Sequence, residues 1–401
     1  MAEPQLEQRL AAALDRVGPQ LVEDRRHLHR HPELSYQERA TAELCAERCE
    51  VLGYSVRTEV GGGTGVVADL DSGRPGPTVM LRADTDALPI TERGEHRAVI
   101  SRNDGAMHAC GHDGHVAMAL GAAAALAELR DAWSGRVRMC FQPAEEVAGG
   151  AGPMIEAGAA DGVDRVLGIH LWAPLQVGRV AVGPGPLFGS ADEFGLVVRG
   201  RGGHGGMPHT SVDPIACAAQ LVTALQTIVS RETSPFSPAV VTIGRIEGGS
   251  AFNVIAEEVR LRGTVRAFED AERERLLRRI AEMATALATS MRCEAEFIRA
   301  NGCPPVVSDA GVAAVVRRAA VATVGEENVD PAPRITVGDD VALFLDRAPG
   351  CYFLVGAGDV ARHPVAPHHH PEFDIDERCL PVGAGILSRA ALIELAETPA
   401  R

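Results

Sequence analysis

Two kinds of alternation within one chain limit its fold more than any single motif. Up to about residue 182, apolar runs at 65–70, 78–81, 136–141 and 165–171 alternate with helical stretches. These include an N-terminal helix over 4–30 and an alanine-rich one over 115–129. Strands alternating with helices give an α/β sheet covered by helices. The chain then breaks at Gly183-Pro184-Gly185-Pro186, a run that suits neither helix nor strand. Beyond it the order becomes strand 193–199, helix 213–230, strands 239–246 and 259–268, helix 270–290 and strand 292–299. This β-α-β-β-α-β order is that of a split βαβ, ferredoxin-like unit. From about Cys303 the first pattern resumes, with a helix at 311–323, a strand at 352–355 and a closing helix over 376–397. The expected architecture is an α/β domain with a mixed sheet in two pieces, 1–186 and 302–401, interrupted by a smaller ferredoxin-like α+β domain at 187–301.

A chain of 401 residues exceeds what one ordinary core holds, in keeping with two domains. The formal net charge of −15 argues against nucleic acid or an anionic membrane as partner, because both require a basic face. The N-terminal segment alternates apolar and charged residues and has no apolar core of a secretory signal. The 9 cysteines are odd in number and irregularly spaced, which disfavours a disulfide framework. A cytoplasmic protein is expected.

The chemistry concentrates in Met107-His108-Ala109-Cys110-Gly111-His112-Asp113-Gly114-His115. Cys110 and His112 stand two apart, so they cannot share a helix face. In a turn relaxed by Gly111 the same pair can close on one ion, and Asp113 is placed to cap the following helix. Phe141-Gln142-Pro143-Ala144-Glu145-Glu146 puts two adjacent carboxylates at the end of an apolar strand. Alone they would be a solvated turn. Beside a His/Cys cluster, one can ligate metal while the other serves as a general base. His170 ends another apolar strand, and His368-His369-His370-Pro371-Glu372 supplies a further cluster that could equally be a solvated loop. Thiolate, imidazole and carboxylate together suit zinc, and also manganese, cobalt or nickel.

These segments occur in one order with Leu81–Ile90 (LRADTDALPI), Gly168-Ile169-His170-Leu171-Trp172, Gly200–His209 (GRGGHGGMPH), Phe252-Asn253-Val254-Ile255 and His369–Glu377 (HHPEFDIDE). The set resembles the co-catalytic metallopeptidase superfamily of aminoacylases and carboxypeptidases. Its branch of hippurate hydrolases, N-acyl-amino-acid amidohydrolases and auxin-conjugate hydrolases is the nearest. The resemblance implies two divalent ions per chain, held by Cys110, His112, Glu146, His170 and His369, with Cys110 where other branches have a bridging carboxylate. It implies Glu145 as general base and Asp86 as the carboxylate that orients a ligand, although Asp86 could also be a strand-end turn residue. The larger domain would be catalytic. The inserted one would act as lid and dimerisation domain of a homodimer, carrying His204 into the partner's site. Asn253 would contact the substrate, and Arg266 would bind its carboxylate. Family members often have proline after Asn-Val-Ile, where this chain has Ala256.

The implied reaction is hydrolysis of a small N-acyl-amino acid by an activated water, with Glu145 passing its proton to the leaving nitrogen and His204 supporting the oxyanion. A dipeptidase or carboxypeptidase would use the same site with a different pocket. A serine hydrolase is disfavoured because no Gly-x-Ser-x-Gly elbow is present. A non-catalytic metal-binding scaffold would have no use for Glu145.

Overall fold

A computed structural model describes residues 4–94, 97, 99–358 and 366–399. They form two compact units. The larger comprises Met1–Leu187, Val307–Pro333 and Asp340–Arg401, and the smaller comprises Phe188–Val306 with Arg334–Asp339.

The larger unit is built on an eight-stranded mixed sheet. Its spatial order is Ser55–Val60, Gly65–Asp71, Arg136–Gln142, Thr78–Asp84, Arg165–Gln176, Gly350–Gly358, Val180–Ala181 and Val329–Asp330. Thr78–Asp84 runs parallel to both of its neighbours, and Gly350–Gly358 runs parallel to Arg165–Gln176. Parallel strands buried on two faces read as near-continuous apolar runs, and Gly350–Gly358 is buried at every position. Alternation sorts their side chains. Val79, Leu81 and Ala83 enter the core formed with Pro4–Arg30, His112–Glu128 and Cys379–Glu397. Met80 points the other way, among Met154 and Phe344 of the helices Ala151–Glu156 and Ala342–Leu345. Close helix contact explains the small residues of His112–Glu128: a Cβ on Gly121 would meet Leu21 at 2.3 Å.

The helix expected from 115 starts three residues earlier, at His112. Gly111 is the N-cap, with a left-handed φ of 96°, a conformation open to glycine at little cost. This corrects the expectation that Asp113 caps the helix. Asp113 lies inside the first turn, where its buried carboxylate instead accepts from Arg25 at 2.9 Å and His29 at 2.8 Å. Those bonds tie the N-terminal helix to the His/Cys segment.

The smaller unit is an antiparallel four-stranded sheet in the order Ala239–Gly248, Glu258–Ala267, Ala191–Arg199, Glu294–Cys303. This is the ferredoxin-like arrangement. Its helices Pro214–Thr227 and Asp270–Ser290 supply Leu221, Leu225, Leu276 and Ile280 to a separate core with Phe194, Leu196 and Leu261. Asp213 caps the first of these helices by accepting from Ile215 and Ala216.

Candidate active site and metal centre

In open α/β sheets, ligands bind in the crevice outside the carboxyl ends of the parallel strands. In the larger unit Asp84 ends Thr78–Asp84, Gln142 ends Arg136–Gln142, and His170 lies within Arg165–Gln176. Past the first end, the Asp86 carboxylate accepts from the Glu145 amide at 3.0 Å, the Glu146 amide at 3.1 Å and the Ser35 hydroxyl at 2.7 Å. Its backbone carbonyl accepts from His112 Nδ1 at 2.8 Å. That bond engages Nδ1 and leaves Nε2 as the ring nitrogen turned toward the other donors. His170 is fixed likewise: Nδ1 donates to the Leu171 carbonyl at 2.5 Å, and Nε2 lies 3.6 Å from Cys110 Sγ.

The donor atoms of Cys110, His112 and His170 lie mutually within 4.8 Å, as do those of Cys110, Glu146 and His369, and those of His112, Glu145 and Glu146. The structure thus brings together Asp86, Cys110, His112, Glu145, Glu146, His170 and His369. The three consecutive histidines separate. His368 stacks on Trp172 and accepts from the Ala173 amide at 3.1 Å. His370 Nδ1 accepts from the Glu372 amide at 3.1 Å. His369, with a left-handed φ of 64°, places Nε2 3.4 Å from Glu146 Oε2, and its amide donates to Ala109 of the His/Cys segment at 2.9 Å.

The residues present fit a divalent cation. His112 Nε2 and Glu146 Oε1 are buried without a hydrogen-bond partner, which is costly unless something positive or donating meets them. Burial drives the Cys110 thiol well above its usual range, and the nearby Glu146 adds to this. Burial likewise pushes Glu146 up to about 7, with Asp86 and Asp84 contributing like charge. A neighbouring cation would favour the anionic form of both. Burial also holds His170 neutral and ready to ligate, aided by His115 and His368.

Two buried residues with no role assigned from the sequence complete the surroundings. Asp84 accepts a hydrogen bond from His115 Nδ1 at 2.6 Å and pairs with the fully buried Arg82 at 2.7 Å. His115 Nε2 accepts from the Leu171 amide at 2.8 Å. Both ring nitrogens of His115 are thus engaged, so it props the His170 strand rather than offering a ligand. The signal for Asp84 was present in the chain: two-residue spacing puts Arg82 and Asp84 on one strand face.

His204, Asn253 and Arg266 belong to the smaller unit. There the two-residue strand Gly203–His204 pairs with Val254–Ile255, so the pairing forms with Ala256 in the place of proline. His204 and Asn253 are exposed neighbours, the Gly205 amide donating to the Asn253 carbonyl at 2.8 Å. The Gly206 amide donates to His204 Nδ1 at 2.9 Å, which makes Nε2 the proton-bearing nitrogen. Arg266, on Glu258–Ala267, is half-buried and has no ion-pair partner among the described residues. Burial lowers its pKa.

Residues 80–393 match the family model described as peptidase family M20/M25/M40. The chain belongs to this family. An N-acetyl-L-cysteine deacetylase of Bacillus subtilis is 40% identical over 368 residues, covering 92% of this chain and 86% of that protein. An IAA-amino acid hydrolase of Arabidopsis thaliana is 39% identical over 383 residues, covering 94% and 85%. Among solved structures, a B. subtilis dinuclear metal binding peptidase of the M20 family superposes with a TM-score of 0.82 at 34% identity, covering 95% of this chain and 99% of that one. As a member of the M20 family with such relatives, the chain is a hydrolase of amide bonds.

Proposed function

We propose that this M20 hydrolase releases a free amino acid from small N-acyl-amino acids, with two divalent ions held by Cys110, His112, Glu146, His170 and His369. The observation that carries the proposal is the pair of buried donors without a hydrogen-bond partner, His112 Nε2 and Glu146 Oε1, set among thiol, imidazole and carboxylate groups. The mixed donor set is compatible with zinc or manganese, and also with cobalt or nickel. The two relatives named above act, by their names, on an N-acetylated amino acid and on amino acid conjugates. They support the acyl-amino acid over the dipeptide as substrate.

The ions would supply Lewis acidity, making water a nucleophile near neutral pH and polarising the scissile carbonyl. Glu145 has its backbone amide pinned by Asp86 and its carboxylate beside Glu146 and His112. It is suited to take the water proton and return it to the departing nitrogen. His204 Nε2–H is suited to donate to the developing oxyanion. Arg266, without an ion pair of its own, is suited to the substrate carboxylate, which it can grip bidentately. Asn253 adds a contact beside His204. We further propose that the chain forms a homodimer through the smaller unit and that His204 serves the partner's site.

Substrate class is tested by supplying metal-replete protein with acetyl-, benzoyl- and long-chain-acyl amino acids and with dipeptides, and by measuring free amino acid with ninhydrin. Release from at least one acylated series, faster than from dipeptides, is the expected result. Hydrolysis of dipeptides alone would replace the proposed substrate class.

Metal binding should also be proton-linked. Burial keeps the Cys110 thiol protonated and raises Glu146 to about 7, so both shed protons when they ligate. Affinity is then expected to rise with pH across the neutral range. Calorimetry at pH 7 in buffers of different ionisation enthalpy should report release of about one proton or more per chain. A heat independent of the buffer would contradict this ligand set.

A further inference from the structure

The loop that carries Glu145 and Glu146 is held by three carboxylates from separate parts of the larger unit. Asp86 takes the Glu145 and Glu146 amides. Asp340 takes the Gly150 and Ala151 amides, at 3.3 and 3.0 Å, at the far end. At the near end the Ala144 amide donates to Glu38 Oε1 at 2.9 Å. Ala144 has a φ of 51°, in the left-handed region that a residue with a Cβ rarely holds without support. That residue immediately precedes Glu145, so its backbone angles set where the Glu145 side chain departs.

Glu38 is itself fully buried and fixed from two sides. Its Oε1 also accepts from the Tyr36 amide at 3.0 Å, and its Oε2 accepts from the Thr64 hydroxyl at 2.8 Å. We propose that Glu38 is a positioning residue for the hydrolytic reaction: through the Ala144 amide it fixes the left-handed turn that aims the Glu145 carboxylate. This rests on Glu145 being the general base. A base works only within hydrogen-bond reach of its proton, and a misplacement of ~1 Å can cost about 10²-fold in rate.

The test measures kcat, KM and bound metal for Glu38→Leu, Glu38→Gln and Thr64→Val, using the best substrate of the acyl panel, with Glu145→Gln alongside. Glu38→Leu leaves the Ala144 amide without its acceptor. Its kcat is expected to fall roughly 30- to 100-fold, with KM within about threefold and metal content unchanged. In Glu38→Gln the amide oxygen still accepts from Ala144 and the amide nitrogen can donate to the Thr64 hydroxyl. Its kcat should therefore stay within about fivefold of the parent. Thr64→Val frees Oε2 and should lower kcat by about fivefold. Unchanged kcat in Glu38→Leu would overturn the proposal, as would a loss of bound metal in place of a loss of kcat. If the leucine variant does not fold, unchanged kcat in Thr64→Val overturns it. Glu145→Gln retaining full activity would instead overturn the assignment of the base, an outcome read independently of the Glu38 variants.

Discussion

Replacing Glu145 with glutamine is expected to lower kcat by at least about 10²–10⁴-fold, the usual contribution of a general base. Both ions and the fold should be kept. Glutamine preserves size and hydrogen bonding, and the backbone amide of residue 145 stays on Asp86, so the loop has no reason to move. KM should change little, because no binding contact is removed. Glu146→Gln should fail differently. Glu146 lies within ligand distance of Cys110 and His369, and a neutral amide there should weaken metal affinity and recover partly with excess metal. The two variants are separated by elemental analysis alongside steady-state kinetics. If Glu145→Gln loses metal and Glu146→Gln keeps it, the two roles are exchanged. Near-normal turnover in both would remove the proposed mechanism.

His204→Ala should cost about 10²–10³-fold in kcat if Nε2–H supports the oxyanion. Its Nδ1 is occupied by the Gly206 amide, so the donor role falls to the other nitrogen. Because the proposal gives His204 to the partner's site, inactive His204→Ala and inactive Glu145→Ala proteins should complement each other. After subunit exchange, one site of a mixed dimer would carry both intact groups. Activity is assayed on separated heterodimers. Heterodimers without recovered activity would place His204 in its own chain's site or outside the reaction.

Much of the fold was legible because its determinants are local. The apolar runs that become Thr78–Asp84, Arg136–Gln142 and Arg165–Gln176 are short and bounded by turn residues, and the β-α-β-β-α-β order survives intact in the smaller sheet. The start of the helix at His112 was missed because it depends on the left-handed backbone of Gly111, which spacing alone does not reveal. Asp113 was assigned to capping because its partners, Arg25 and His29, are 88 and 84 residues away in sequence. The donor set could be listed from the chain, since His, Cys and Glu cluster in recognisable segments. The division of labour among His368, His369 and His370 could not be derived from spacing. It depends on Trp172, which stacks on the first, and on Glu146, which faces the second. Glu38 was invisible for the same reason: it is one acidic residue among many until its buried partners, Ala144 and Thr64, are known.

The most direct test of the account titrates metal-stripped protein with zinc or manganese while bound metal and amino acid release are measured together. Binding should saturate at two ions per chain, activity should rise with occupancy, and a strong chelator should abolish it. Full release of amino acid by protein that contains no metal, in the presence of that chelator, would contradict the account at its centre.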